Sequence, residues 1–171
     1  MDVLEAIQKR MSVRAYQNKP IPEEKLRKIL EAARLAPSAR NSQDYQLVVV
    51  RDQKIRKELA AGDTSESFVD TAPVVIVAVA LKPEYIMPGG IPAHPVDIAI
   101  AIDHITLVAV KEGLGSCWIG GFNQERIKEI LVIPDKYKVV VLLSLGYPAE
   151  SPDRKARKPL REITSYDRFF E

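Results

Sequence analysis

The sequence predicts an α+β fold in which helices cover both faces of a central sheet. Two short runs, 45–50 and 73–81, are apolar apart from Gln46, as expected of strands that are buried on both faces. Other stretches, such as that from Pro22 to Ala33, repeat apolar residues at the spacing of a helix. Strands that are apolar on both sides need helices on each side, so we expect a three-layer α/β/α sandwich.

Local signals place the individual elements. Helices are predicted where a capping residue or proline opens a helical pattern and a glycine or proline closes it. These predicted helices span 2–10, 22–36, 52–62, 97–112 and 123–131. Predicted strands span 45–50, 73–81, 116–119 and 139–145. Between them lie a polar loop at 37–43 and an irregular, proline-rich loop at 82–95.

The helix predicted at 97–112 is apolar around almost its whole circumference. A chain of 171 residues has difficulty covering such a helix alone. We therefore expect a homodimer with this helix at its interface. The apolar positions are Ile98, Ile100, Ala101, Ile102, Ile105, Leu107, Val108 and Val110.

Composition narrows the class of protein. The length of 171 residues suits one domain spanning 1–171, and 46% hydrophobic with 28% charged residues is typical of a soluble globular protein. A net charge of +2 argues against nucleic-acid binding, and no uncharged apolar stretch approaches the roughly 20 residues that span a membrane. With one cysteine, Cys117, and two distant histidines, we expect no disulfide, no metal site and a cytoplasmic location.

Four separated segments carry the functional signal. Two are basic, one at each end of the chain, and can hold a phosphate; the other two, a Ser/Asn/Gln loop and a Gly-rich turn, offer neutral contacts to a polyol chain and a flat ring. Gly113 reads as a left-handed helix C-cap, because a dinucleotide-binding glycine loop would follow a strand. The segments are Arg10-Met11-Ser12-Val13-Arg14, Ala36-Pro37-Ser38-Ala39-Arg40-Asn41-Ser42-Gln43, Gly113-Leu114-Gly115-Ser116-Cys117-Trp118-Ile119-Gly120-Gly121 and Lys155-Ala156-Arg157-Lys158-Pro159.

Each segment also has a simpler interpretation when it is taken alone. The first is equally consistent with a solvated basic helix end, the second with a polar turn and the fourth with a charged tail facing water. Trp118 suits either the core or a ring contact, and Cys117 reads as a buried structural thiol.

The order and spacing of the four segments resemble the FMN-dependent nitroreductase family, from about Val3 to Ile163. The resemblance implies a nitroreductase-like sandwich with a mixed central sheet and FMN bound at a homodimer interface. Arg10, Met11 and Ser12 would lie near the phosphate and ribityl chain, and Arg14 near the flavin N1/O2 edge. The remaining implied contacts are Lys155 and Arg157 to the phosphate, Trp118, Ile119, Gly120 and Gly121 near flavin N5, and Pro37, Ser38, Ala39, Asn41 and Gln43 from the other subunit.

Two departures from the family pattern bear on substrate class. Asp44 and Tyr45 follow Gln43 where the family commonly has Pro and Trp. The stretch 64–68 lacks the Asn and Lys that contact the flavin's pyrimidine edge in many relatives. Two outcomes are open: Thr64 or Ser67 substitutes weakly, or the contact is lost.

The resemblance implies a cytoplasmic NAD(P)H oxidoreductase. NADH or NADPH would reduce the flavin at N5 and leave before a nitroaromatic, a quinone or a related small acceptor binds, with no catalytic side chain. Three alternatives remain open: a specialised flavin enzyme of the same fold, such as one for dehalogenation or cofactor metabolism; a non-enzymatic flavin-binding protein; and an unrelated α/β domain with a basic tail.

Overall fold

The computed structural model describes residues 1–61, 67–153 and 156–169, where five α-helices and four strands are found. The helices are α1 (Val3–Lys9), α2 (Glu23–Arg34), α3 (Gln53–Ala60), α4 (Ala93–Lys111) and α5 (Gln124–Leu131). The strands are β1 (Tyr45–Val50), β2 (Val74–Ala80), β3 (Gly115–Ile119) and β4 (Lys138–Gly146). Short 3₁₀ turns lie at Ala39–Asn41, Ser67–Thr71 and Leu160–Glu162.

The sheet has helices on both faces, which confirms the three-layer prediction. On one face, β2 and β4 pack against α2 and α4 through Ile29, Ile76 and Ile102. On the other face they pack against α3 and α5 through Leu59 and Ile127. All seven residues of β2 are buried, as a strand covered on both sides requires.

The strand order is β1-β2-β4-β3, and every neighbouring pair is antiparallel. This differs from the mixed sheet that we expected. Among the described residues the parallel pairing is a single bridge between Ser12 and Ser116, at the outer edge of β3. An apolar run indicates that both faces of a strand are covered, but it carries no information on strand direction.

Three of the predicted helix caps are confirmed. Each capping side chain accepts a backbone N–H three residues ahead, which satisfies a donor that the helix leaves unpaired. The pairs are Asp2 with Glu5 at 2.8 Å, Asp52 with Ile55 at 2.9 Å and Asn123 with Arg126 at 3.0 Å.

Helix α4 begins at Ala93, so the prediction that Asp97 caps it is wrong. Pro95 lies in the first turn, where backbone N–H groups have no helical partner and proline is tolerated. The carboxylate of Asp97 instead accepts the backbone N–H of Ala39 at 2.9 Å.

Helix α4 is covered on one side only within the protomer. Ile98, Ile102 and Ile105 are fully buried. Val96 is 40% exposed and Ile100 and Leu107 are half-buried, so a mainly apolar stripe, interrupted by exposed Asp103, is left along the outer side. By length and composition α4 could cross a membrane, but half of its most apolar stretch is buried in the core of the fold.

Two glycines let the N-terminal segment lie directly against the sheet. A Cβ at Gly115 would come within 2.6 Å of Val13 Cγ2, and one at Gly146 within 2.8 Å of Tyr16 Cδ1. Any larger residue would push this segment away from β3 and β4.

Candidate functional site

The segment that follows α1 runs along the edge of β3. Arg10 leaves the helix with extended backbone, and the N–H of Val13 donates to the Ser116 carbonyl oxygen at 3.0 Å. Val13 points inward and is 5% exposed, whereas Arg14 is exposed. Because side chains alternate along an extended chain, Ser12 and Arg14 share the outer side.

Tyr16 fixes this segment to the sheet. Its buried hydroxyl donates to the Val13 carbonyl oxygen at 2.7 Å and lies 2.7 Å from Ser144 Oγ. Ser144 is fully buried in β4, and its Oγ also lies 3.4 Å from the Cys117 carbonyl oxygen, so its one proton can go to either neighbour. Burial raises the pKa of the Tyr16 hydroxyl well above its usual range, so it remains a hydrogen-bond donor throughout the physiological range.

A cleft of about 370 Å³, which we call the basic cleft, brings the two ends of the chain together. Arg10, Ser12 and Arg14 from the N-terminal segment and Arg157 from the tail line it. Asp153 also lines it, so three guanidinium groups face one carboxylate. This arrangement favours an anion that accepts several forked hydrogen bonds, as a phosphate does.

Two neighbours hold Arg14, and sequence reasoning assigned a role to neither. The Arg14 backbone N–H donates to Glu150 Oε1 at 2.6 Å, and the guanidinium carbon lies 5.9 Å from the centre of the Phe68 ring. Phe68 is half-buried and packs against Val13, Tyr16 and Ala72. Glu150 is 136 residues away from Arg14 in sequence, and no local pattern links the two.

The edge strand β3 presents one flat side chain beside the N-terminal segment. Trp118 is 40% exposed, which makes a core role wrong within the protomer. Cys117 and Ile119 are 3% and 1% exposed, so the prediction of a buried thiol is confirmed and Ile119 offers only its backbone to a ligand. Gly120 has open space where a side chain would lie.

The loop at 37–43 is strained and exposed. Arg40, Asn41 and Gln43 have φ of 54°, 55° and 52°, a left-handed conformation that residues with a side chain rarely adopt. Ser38 Oγ accepts the Gln43 backbone N–H at 3.0 Å. Gln43 Nε2 donates to the Asn41 carbonyl oxygen at 3.0 Å, so the loop has one defined shape.

Contacts outside the loop hold it in place. In addition to the bond from Ala39 to Asp97, the Arg40 guanidinium lies 4.5 Å from the centre of the Tyr85 ring. Asp44, which departs from the family pattern, forms an ion pair with Lys82 at 3.0 Å. This ion pair therefore connects the loop to the segment that follows β2.

The loop and the basic cleft lie at opposite corners of the sheet. The loop leads into β1 at Tyr45, beside Ala80, whereas the cleft adjoins Ser116 at the other edge, beside Leu145 and beyond it Val74. Three interstrand spacings, about 14 Å, separate the edges, and the two sites are also about 20 Å apart along the strands. One protomer does not bring the loop to its own cleft.

Comparison with known proteins agrees with this architecture. The sequence model described as "Nitroreductase family" matches residues 7–62 and 57–147. The chain is 34% identical to a "NADH dehydrogenase" from Thermus thermophilus, over 95% of each chain. The chain belongs to the nitroreductase family.

Solved nitroreductase-family structures share the fold. A nitroreductase family protein from Clostridium novyi NT aligns with a TM-score of 0.83 and 38% identity, over 91% of this chain and 89% of that one. An FMN-dependent nitroreductase from Clostridium difficile R20291 aligns with a TM-score of 0.83 and 30% identity, over 97% of this chain and 99% of that one. The predicted family and fold are therefore confirmed.

The predicted nitroreductase site falls into three groups. The basic cleft gathers Arg10, Met11, Ser12, Arg14 and Arg157, with Trp118 to Gly121 continuing the adjacent strand. The loop residues lie at the far corner. Lys155 and Thr64 lie outside the described residues, as does the side chain of Ser67. Across the described ranges, no cluster of His, Cys, Asp or Glu could hold a metal ion. The loop residues are Pro37, Ser38, Ala39, Asn41 and Gln43.

Tyr16→Phe should lower the free energy of unfolding by about 1–2 kcal/mol, because it leaves the Val13 carbonyl without its donor. The raised pKa means that the folded state keeps a proton that the unfolded state loses. Wild-type stability should therefore fall as the pH rises above about 10, and the variant should lack part of this fall. Urea denaturation from pH 7 to 11 measures both effects. Tyr166→Phe, at an exposed tyrosine, is the control; equal changes in the two variants would contradict the anchoring role.

Proposed function

We propose that this nitroreductase-family chain is an FMN-dependent NAD(P)H oxidoreductase that reduces a small acceptor such as a quinone or a nitroaromatic. The observation that carries the proposal is the convergence of Arg10, Arg14 and Arg157 on one cleft beside β3. Similarity to two relatives, a NADH dehydrogenase and an FMN-dependent nitroreductase, supports it.

The residues of the basic cleft fit FMN. Its volume of about 370 Å³ falls within the usual range for sites of small ligands. Arg10 and Arg157 offer forked donors to a phosphate, with Lys155 as a further candidate, and Ser12 offers a hydroxyl to the ribityl chain. Next along the edge, exposed Trp118 and the open backbone of Gly120 suit the approach of a flat ring.

Arg14 has a different role from the phosphate cations. Glu150 holds the Arg14 backbone and the Phe68 ring lies beside its guanidinium, so this cation at the cleft would stabilise negative charge on a reduced ring. FMN held by Arg10, Ser12 and Arg157 would supply the redox chemistry, taking a hydride from the nicotinamide and passing the electron pair to the acceptor. The protein positions the reactants and stabilises the charge, and no side chain acts as a nucleophile.

A homodimer completes the site. Each loop at 37–43 lies too far from its own cleft, whereas a second copy can bring its loop to that cleft. The surface for such pairing is apolar, because a groove of about 400 Å³ is lined by Val3, Leu35 and Leu107, and Val96 lies further along α4. We propose a cytoplasmic dimer of single-domain protomers with two FMN sites, in which this surface is buried.

The phosphate and ring roles are separable. Arg10→Ala and Arg157→Ala should each weaken FMN binding by about 1.5–3 kcal/mol, the scale of a charge-assisted hydrogen bond. Arg14→Ala should mainly lower the midpoint potential of the bound flavin. Fluorescence titration and potentiometry measure these effects, with Arg27→Ala on exposed α2 as the control. If all three variants weaken binding equally at an unchanged potential, the division of roles is wrong.

Leu107→Glu should dissociate the dimer and release FMN, because it places an unpaired charge in the interface. The sedimentation coefficient and the amount of bound flavin should fall together, while the circular dichroism of the protomer stays unchanged. Ile102 and Ile105 do not serve here, because both are fully buried within the protomer. The control is Val132→Glu, at a residue that is 86% exposed. A wild type that is monomeric and retains FMN would contradict the proposal.

The reaction should proceed by a ping-pong mechanism, with parallel double-reciprocal lines, because the nicotinamide and the acceptor would use the same part of the site in turn. Stopped-flow mixing with NADH or NADPH, and then with a quinone or a nitroaromatic, follows each half-reaction. Cys117→Ala should keep most of the turnover, because the thiol is buried in the core. If neither nicotinamide reduces the bound flavin, the chain is a flavin-binding protein or a specialised enzyme of this fold.

A further inference from the structure

Asp97 is a charged residue in an apolar helix and is only 6% exposed. A buried carboxylate is costly unless hydrogen bonds compensate for its lost hydration. The bond that it accepts from the Ala39 backbone N–H, at 2.9 Å, joins α4 to the loop at 37–43. The two residues are 58 positions apart in sequence, so this contact is tertiary and not a helix cap.

The loop needs such an anchor. Its three left-handed residues, Arg40, Asn41 and Gln43, each cost conformational energy that surrounding contacts must offset. The Arg40–Tyr85 stack and the Asp44–Lys82 ion pair involve partly exposed side chains, whose contacts are weak. The carboxylate of Asp97 is the more buried partner and its contact with Ala39 is partly buried, so it can hold the loop more firmly than contacts between exposed side chains.

We propose that Asp97 is a positioning residue for the cofactor site across the dimer interface. By accepting the Ala39 N–H it holds the loop in the shape that presents Asn41 and Gln43 to FMN in the partner's basic cleft. This inference rests on the proposed function. It goes beyond that function because Asp97 lines no part of the cleft and would act through the loop alone.

The position of Asp97 links assembly to cofactor binding. Val96 and Ile100, on the outer stripe of α4, flank Asp97 within one turn of the helix. Helix α4 buries its outer stripe against a second copy. The same helix also fixes the loop at 37–43, which contacts that second copy. Dimer formation and loop presentation therefore depend on the same turn of α4.

The test compares Asp97→Leu, which removes the acceptor, with Asp97→Asn, which keeps an acceptor oxygen. The Leu variant should raise the FMN dissociation constant roughly tenfold or more and change the visible circular dichroism of the bound flavin. Hydrogen exchange should become faster in the loop while the dimer persists in sedimentation. The Asn variant should stay within about threefold of wild type. If the Leu variant only disturbed the fold, the Asn variant would not selectively restore the circular dichroism of the bound flavin.

Ala39→Pro removes the same hydrogen bond from the donor side and serves if the Leu variant does not fold. Proline suits this position, because Ser38 already has extended backbone and Ala39 opens the 3₁₀ turn. If both variants act through one bond, the double variant should bind FMN no more weakly than the weaker single variant.

The outcomes separate the two proposals. Failure of the wild type to bind FMN overturns the proposed function. Wild-type FMN binding by both Asp97→Leu and Ala39→Pro overturns the role of Asp97 alone. An Asn variant as weak as the Leu variant overturns the hydrogen-bond mechanism, because the acceptor oxygen would then not be what matters.

Discussion

The fold depends on the need to cover α4, a 19-residue helix with few polar groups. Covering its inner side brings α2 and the sheet against Ile98, Ile102 and Ile105. Its C-terminal end leads through Gly113, at φ 76°, directly into the edge strand β3. Its N-terminal turn holds the strained loop through Asp97. One buried helix therefore sets the position of both halves of the candidate site, at opposite corners of the sheet.

The basic cleft shows why net charge was a poor guide to the site. The chain carries 25 basic and 23 acidic residues, nearly in balance, and several cations on the described helices, such as Lys9, Lys28 and Arg34, form ion pairs with acidic residues of the same helix. A local positive potential arises because the fold brings the segment after α1 against the tail after β4. Tyr16 and Ser144 secure that contact with buried hydrogen bonds, which are stronger in a low dielectric than pairs on the surface.

Sequence reasoning succeeded where the physics is local. The caps at Asp2, Asp52 and Asn123 and the apolar strands depend on neighbouring residues, and the structure has them as predicted. It failed where partners are distant in sequence. No local pattern encodes the contacts that set the direction of the strands. The same holds for the bond between Asp97 and Ala39 and for the bond between Arg14 and Glu150. Proline at position 95 also suggested a later start for α4, although the first turn of a helix accepts it.

The two departures from the family pattern, at Asp44 and in the stretch that ends at Phe68, have a common physical explanation. Asp44 replaces a proline, and its ion pair with Lys82 supplies some of the rigidity that a proline ring would give the loop. Phe68 ends the stretch that departs from the family pattern, and its packed ring lies 5.9 Å from the Arg14 guanidinium carbon beside the cleft. In both places a contact within the protein orders a segment next to the candidate site. Under the proposed function Arg14 carries the charge at the ring edge, so Phe68 would act on a bound flavin only through that guanidinium.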